Sequence, residues 1–219
     1  MTITSNIWYV ECSNPQCLLR FPLDLAQFKG SYCPRCGSPL TQMVRASGQP
    51  TRVSPCLTKG YHLVAVLDNI RSIHNVGAIF RSADGAGLAK ILLCGITPTP
   101  KEHPELSKTA LGAQWDIPWE YHPNTPALIR ALKAQGALIL ALENLESAKP
   151  LANYHLAALQ TREVVLVVGS EPAGIDPEVL ALADDSLFLP MAGQKGSLNV
   201  SVAFGIASYW LQFAKDPAG

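Results

Sequence analysis

Apolar runs and polar turns alternate along most of the chain, beginning near Tyr61. The apolar runs predict strands at 62–68, 90–94, 137–142, 163–168 and 186–190, with a shorter strand near 117–121. The segments between them predict helices at 75–86, 124–135, 177–183 and 198–213. Nearly continuous apolar runs are typical of strands that are buried on both faces. The alternation therefore predicts an α/β fold with a mostly parallel sheet and helices on both of its faces.

The last predicted helix is apolar on nearly every side, without the polar stripe of a solvent-facing helix. It follows a short strand, Leu187 to Met191, and a loop that contains two glycines and a lysine. Its polar residues Ser197, Asn199 and Ser201 stand at its entrance, where Ser and Asn cap free N–H groups. Ligands of α/β proteins bind at such strand–loop–helix junctions, so this pattern predicts a binding site.

Two earlier stretches show the same order of strand, polar turn and helix. They run from Leu63 to Gly87 and from Val164 to Leu180. In the first stretch Asn75 stands where the helix is predicted to begin, as an N-cap would, and Arg81 follows it on the same helix.

Together, these three stretches resemble the signature motifs of the SpoU/TrmH branch of the SPOUT RNA methyltransferases. In that family the first motif carries an Asn and an Arg, here Asn75 and Arg81. The second is a G-x-E-x-x-G turn, here Gly169 to Gly174, and the third is an S-L-N-V-S-x-A run, here Ser197 to Ala203. The resemblance covers about Tyr61 to Phe213, and three motifs in the same order are far more specific than one.

The resemblance implies transfer of a methyl group from S-adenosylmethionine to the ribose 2′-hydroxyl of a tRNA or rRNA nucleotide. It also implies a C-terminal trefoil knot and a homodimer. The expected catalytic residues are Arg81, Asn75, Glu171, Ser197 and Asn199. The expected cofactor-binding residues are Gly169, Gly174, Leu189, Met191, Gly193, Ser197 and Leu198. The expected RNA contacts are Arg71, Arg81 and Lys108.

The arginine of the first motif has been described as the base of the reaction in this family. A guanidinium resists deprotonation strongly. We therefore expect Arg81 to bind the target phosphate and to stabilise negative charge on the ribose oxygen. Glu171 is expected either to orient Arg81 or to hold the substrate. Asn75, Ser197 and Asn199 are suited both to substrate contacts and to helix capping.

Residues 1–45 are predicted to form a separate small domain, which contains Cys12, Cys17, Cys33 and Cys36. Their spacing, C-x4-C followed by C-x2-C in a Pro- and Gly-containing turn, resembles a zinc ribbon and favours a structural zinc ion. Two disulfides are the alternative, which a reducing cytoplasm disfavours. Residues 46–60, rich in Pro and Gly, are predicted to be a linker, and 61–219 the methyltransferase domain.

Composition, net charge and the length of apolar runs exclude some classes of protein. The 219 residues are 48% hydrophobic, so the chain can bury a full core. The formal net charge is +0, which argues against a protein that coats nucleic acid through bulk charge. No apolar run is long enough to span a bilayer and the N-terminus does not resemble a signal peptide, so the protein is expected to be cytoplasmic.

Two other functions are weighed against RNA methylation. A non-catalytic RNA-binding adapter on the same scaffold would have no need of Asn75, Arg81, Glu171 and Asn199 together. A nicotinamide-dependent oxidoreductase would carry a G-x-G-x-x-G fingerprint after the first strand of its sheet, and this chain has none there.

Overall fold

Two separate sheets organise the chain. The structure is a computed structural model that describes residues 6–28, 30–46, 60–154 and 163–214. The chain divides into two compact units, Met1–Cys56 and Leu57–Gly219. All of the predicted linker 46–60 except its first and last residues lies outside the described residues, so the predicted domain boundaries stay a proposal.

The first unit holds a three-stranded antiparallel sheet. Its strands are β1 (Ile7–Cys12), β2 (Arg20–Asp24) and β3 (Leu40–Arg45), in the order β2-β1-β3. Val10 and Cys12 of β1 are buried, whereas Ile7 and Tyr9 on its other face are exposed. These strands are short and much of their surface is exposed, so their apolar pattern is too weak to predict them from the sequence.

The second unit is built around a seven-stranded sheet in which every pairing is parallel. Its strands are β4 (His62–Asp68), β5 (Lys90–Cys94), β6 (Trp119–His122), β7 (Leu138–Leu142), β8 (Lys149–Pro150), β9 (Glu163–Gly169) and β10 (Asp185–Phe188). Their order is β6-β5-β4-β9-β7-β10-β8. The predicted parallel sheet is confirmed, and only the two-residue edge strand β8 was not foreseen.

Helices cover both faces of this sheet, as predicted. They are α1 (Ile73–Ala86), α2 (Ser107–Ala110), α3 (Ala113–Asp116), α4 (Thr125–Ala134), α5 (Pro177–Leu182) and α6 (Val200–Phe213). α1 and α6 pack with Leu63 and Leu67 on one face. α4 and α5 pack with Val64 and Val66 on the other face. Adjacent residues of β4 thus point into two different cores, which is why residues 63–67 of this strand are all apolar.

The start of α1 differs from the sequence prediction. Ser72, not Asn75, is the N-cap, and its hydroxyl accepts a hydrogen bond from the Asn75 backbone N–H at 3.3 Å. Asn75 therefore lies inside the first turn, and its side chain is free of the capping role that the sequence analysis gave it.

The short helices α2 and α3 were also not predicted. Leu111 and Gly112, with φ angles of 52° and 100°, separate them and stop either one from growing into a longer helix. None of the helices in the described ranges is long and apolar enough to cross a membrane. The trefoil knot stays a prediction, since strand order and register do not specify how a chain threads.

Candidate active site

Three loops converge at one edge of the large sheet. They follow β4, β9 and β10, and each leads into a helix: α1, α5 and α6 respectively. Because these strands are parallel, their carboxyl ends share an edge, and ligands of open α/β sheets bind in the crevice outside it. This edge is where the three sequence motifs meet.

A chain of side-chain hydrogen bonds joins the three motifs. The Asn75 amide donates to Glu171 Oε1 at 2.7 Å. The Asn199 amide in turn donates to Asn75 Oδ1 at 3.1 Å. The Ser201 hydroxyl donates to Asn199 Oδ1 at 2.6 Å, and Asn199 is also the N-cap of α6. Residues that lie about a hundred positions apart in the sequence therefore form one polar network.

Glu171 is held in place from two sides. Its second oxygen, Oε2, accepts a hydrogen bond from the Arg71 backbone N–H at 3.3 Å. Partial burial opposes ionisation of the carboxyl, but hydrogen bonds from Asn75 and from backbone N–H groups outweigh it and lower the pKa of Glu171. The side chain is therefore a carboxylate at neutral pH.

A cavity of about 650 Å³ opens beside this network. That volume lies within the usual range for small-molecule sites. Glu143 and Glu171 are the charged side chains among the described residues that line it, with no Lys, Arg or His. The cavity is thus negatively charged, and it suits a ligand that carries positive charge.

The structure places most of the predicted cofactor residues around this cavity. Those that line it are Gly169, Gly174, Leu189, Ser197 and Leu198. Met191 and Gly193 lie in the same loop as Leu189 but are not among the lining residues. Glu143 and Asn144 also line the cavity. Sequence reasoning missed this pair, because it follows β7 with no recognisable motif.

The turn after β9 is unusually tight. Ser170 and Gly174 exchange backbone hydrogen bonds of 3.0 and 2.8 Å, and Gly174 has a φ of 71°. A Cβ on Gly169 would lie 2.3 Å from the backbone nitrogen of Ile175. Both glycines are therefore required by the geometry of the turn, because an L side chain fits at neither position.

The predicted RNA contacts lie outside the polar network. Arg81 on α1 is exposed, and within the described residues its guanidinium makes no hydrogen bond or ion pair with Glu171 or any other group. The side chains of Arg71 and Lys108 are exposed as well. These three cations are therefore accessible to an anionic partner, although the structure does not bring them into contact with the carboxylate.

In the first unit, the four predicted cysteines come together. Their sulfur atoms all lie within 4.8 Å of one another. Cys12 Sγ is 3.4 Å from Cys36 Sγ, and Cys17 Sγ is 3.8 Å from Cys33 Sγ. These separations are too long for disulfide bonds of about 2.05 Å. They are close to the roughly 3.8 Å expected between thiolates around a tetrahedral zinc ion.

With this geometry established, the chain can be compared with known proteins. Residues 62–209 match the sequence profile of the SpoU rRNA Methylase family, which is more than half of the chain. The chain belongs to this family. The three motifs and the parallel sheet all fall within the matched residues, so the predicted family is confirmed.

Named RNA methyltransferases are similar to most of the chain. The 23S rRNA (guanosine-2'-O-)-methyltransferase RlmB of Vibrio vulnificus (strain CMCP6) is 34% identical over 67% of this chain and 57% of its own length. The tRNA (guanosine(18)-2'-O)-methyltransferase of Escherichia coli (strain K12) is 31% identical over 72% of this chain and 66% of its own. The chain therefore spans less than two thirds of these relatives.

A solved methyltransferase structure shares the fold. It is the AdoMet-bound rRNA methyltransferase from Sinorhizobium meliloti, with 28% identity and a TM-score of 0.62. The likeness covers 80% of this chain and 64% of that one.

Proposed function

We propose that the chain methylates the ribose 2′-hydroxyl of a tRNA or rRNA nucleotide with S-adenosylmethionine as the methyl donor. The observation that carries the proposal is the polar network Asn75–Glu171–Asn199, which lies beside an acidic cavity of about 650 Å³. The names of the SpoU relatives support both the reaction and the class of substrate.

The charge of the cavity supports this cofactor. S-adenosylmethionine supplies a methyl group on a positively charged sulfonium, and it also carries an ammonium group. Glu143 and Glu171 provide negative charge without a competing cation in the lining. A nicotinamide dinucleotide, with its anionic pyrophosphate, would be repelled by these carboxylates. Gly169 and Gly174 permit the tight turn that lines this cavity.

The polar network would position the substrate. Catalysis of methyl transfer depends mainly on holding the hydroxyl in line with the methyl group. Asn75 and Asn199 are fixed by hydrogen bonds to each other, and Asn75 is fixed further by Glu171, so the site is ordered before substrate binds. The Arg81 side chain is exposed and unpaired among the described residues. We assign it to bind the target phosphate and to stabilise negative charge on the ribose oxygen.

The decisive experiment measures methyl transfer from labelled S-adenosylmethionine to total RNA from a host strain that lacks the protein. We expect label on a ribose 2′-oxygen with the wild type and at least about a hundredfold less with Arg81→Ala. Arg130→Ala is the matched control, since Arg130 is an exposed arginine on α4, on the opposite face of the sheet, paired with Glu178. Equal activity of Arg81→Ala and wild type would refute the role given to Arg81.

The same experiment tests the adapter alternative. A folded protein that binds S-adenosylmethionine and RNA but transfers no label would be an adapter. The hydrogen-bonded network of Asn75, Glu171 and Asn199 favours the enzyme, because binding RNA alone does not require it.

We further propose that the four cysteines hold one structural zinc ion in a domain formed by residues 1–45. Val10, Cys12 and Cys33 are the buried apolar residues in the described part of this unit. So small a core supplies little folding free energy, and a tetrahedral metal site would supply the rest. The geometry and the donor set both fit zinc.

We also propose that two copies associate through α6. Four of its apolar side chains are exposed and recur with helical spacing on one face: Val202, Ile206, Tyr209 and Phe213, with 49, 44, 46 and 38% of their surface accessible. An apolar stripe of this length is unusual on a monomer, and it suits a self-complementary contact around a two-fold axis.

A further inference from the structure

The dipeptide Glu143–Asn144 reaches two of the loops that line the cavity. It directly follows β7, and the Glu143 backbone N–H donates to the Leu187 carbonyl of β10 at 2.9 Å. Its position is thus fixed by the sheet itself. Both side chains line the cavity.

The Glu143 side chain holds the turn after β9. Its Oε2 accepts a hydrogen bond from the Ile175 backbone N–H at 3.0 Å. A Cβ on Gly174 would lie 2.6 Å from the same oxygen, so this glycine permits the close approach of the carboxylate to the turn. Oε1 accepts from the Asn144 backbone N–H at 3.3 Å, which limits rotation of the side chain.

The Asn144 side chain holds the other loop. Its amide donates to the Gly196 carbonyl at 3.1 Å. Gly196 directly precedes Ser197, Leu198 and Asn199, all of which line the cavity. The loop is exposed from residue 192 to residue 199, so this hydrogen bond ties an otherwise solvent-facing segment to the sheet.

We propose that Glu143 and Asn144 are positioning residues that fix the distance between the two cofactor loops and thereby set the affinity for S-adenosylmethionine. The inference rests on the proposed function. A loop that is already held in its bound conformation loses less conformational entropy when ligand binds. Loss of the carboxylate also leaves the N–H of Ile175, a buried residue, without its acceptor.

The first test is the dissociation constant for S-adenosylmethionine, measured by calorimetry on the full chain. We expect Glu143→Ala and Asn144→Ala each to weaken binding about tenfold. Glu143→Gln should weaken binding less than Glu143→Ala does, because its amide oxygen can still accept the same N–H although the negative charge is lost. The control is Glu146→Ala, an exposed acidic residue of the same loop that does not line the cavity.

Two outcomes would overturn the proposal. Wild-type affinity in Glu143→Ala would show that the carboxylate does not set the geometry of the site. An equal loss in Glu143→Gln and Glu143→Ala would show that the charge of Glu143 acts on the ligand directly, not through the turn.

A second readout does not depend on the cofactor. Amide hydrogen exchange at Ile175 should be faster in Glu143→Ala than in wild type, and unchanged in Glu146→Ala. Unchanged exchange in Glu143→Ala would overturn the proposal even if affinity fell. If the wild type binds no S-adenosylmethionine, the proposed function fails, while exchange at Ile175 still decides whether the dipeptide holds the turn.

Discussion

Asn75 uses both ends of its amide in the site. Its nitrogen donates to Glu171 and its oxygen accepts from Asn199. Only an amide offers a donor and an acceptor on one short, planar group. Asp at this position would lose the donor and face a second carboxylate, whereas Ser is too short to span the two partners. The requirement for Asn thus follows from the geometry and not from helix capping.

The ionised state of Glu171 gives a pH-dependent prediction. Its carboxyl has a pKa below its usual range in the folded protein, so its contribution to stability is complete above the unfolded pKa of about 4.3 and is lost as the pH falls through the folded pKa. We expect Glu171→Gln to lower the free energy of unfolding by less than about 1 kcal/mol at neutral pH, because the side chain is largely exposed. Urea unfolding of both proteins at about pH 7 and about pH 3 checks this. A difference that grows on acidification would contradict it.

Single residues also show what sequence alone could and could not reveal about the site. Asn75, Glu171 and Asn199 were found because each stands in a recognisable motif. The capping role of Ser72 was missed, since Ser72 and Asn75 are both good caps and only backbone angles decide between them. Glu143 was missed for a different reason: its partner Ile175 lies 32 residues away, and nothing local marks the contact.

At the scale of elements, the packing of α1 depends on one of its glycines. A Cβ on Gly77 would lie 1.9 Å from Thr109 Oγ1 and 2.8 Å from the Leu106 carbonyl oxygen. The segment that carries α2 therefore packs directly on the α1 backbone. Gly85 on the same helix is less constrained, because its nearest neighbour is the hydroxyl at the end of the Tyr209 side chain, at 2.5 Å.

These two glycines make a matched pair. Replacing glycine by alanine inside a helix stabilises the helix by about 1 kcal/mol, and this gain in stability applies to both positions. We expect Gly77→Ala to destabilise the protein by about 1–3 kcal/mol, since backbone atoms must move. Gly85→Ala should be neutral or stabilising, because Tyr209 can rotate away. Thermal unfolding of the two variants tests the difference, and equal destabilisation would show that the packing of α2 is not specific.

Strands that are buried on both faces of the sheet were predicted correctly from the sequence. The interiors of β4 and β9, residues 63–67 and 164–168, are wholly apolar because each strand faces a core on both sides. Their predicted bounds agree with the structure to within one residue. α2 and α3 were missed because each is a single turn, and Leu111 and Gly112, which separate them, both have left-handed backbone conformations. No hydrophobic period can develop over four residues.

At the scale of the whole molecule, the two units are expected to be energetically separable. Replacement of Cys33 and Cys36 by Ser should remove bound zinc and unfold the first unit, because its core is too small to persist alone. Affinity for S-adenosylmethionine should be unchanged, since the described residues that line the cavity all belong to the second unit. Metal analysis and calorimetry on the double variant measure both. A loss of cofactor binding would contradict the division into two domains.

Self-association is the other property of the whole molecule that can be tested. Ile206→Glu places a charge in the middle of the exposed stripe on α6 and should convert a dimer to monomers in analytical ultracentrifugation. Ala131→Glu, at an exposed position of α4, is the control and should leave the assembly unchanged. A wild-type protein that sediments as a monomer would refute the α6 contact.

The polar network joins residues that are synthesised at different times. Asn75 and Asn199 are separated by 124 positions, and Asn75 leaves the ribosome first. At a synthesis rate of about 5–20 residues per second, Asn75 is made roughly 6–25 seconds before Asn199. The cavity is incomplete until the loop after β10 has been made. Premature termination anywhere before Asn199 therefore yields a product that cannot assemble the polar network beside the cavity, however much of the sheet it contains.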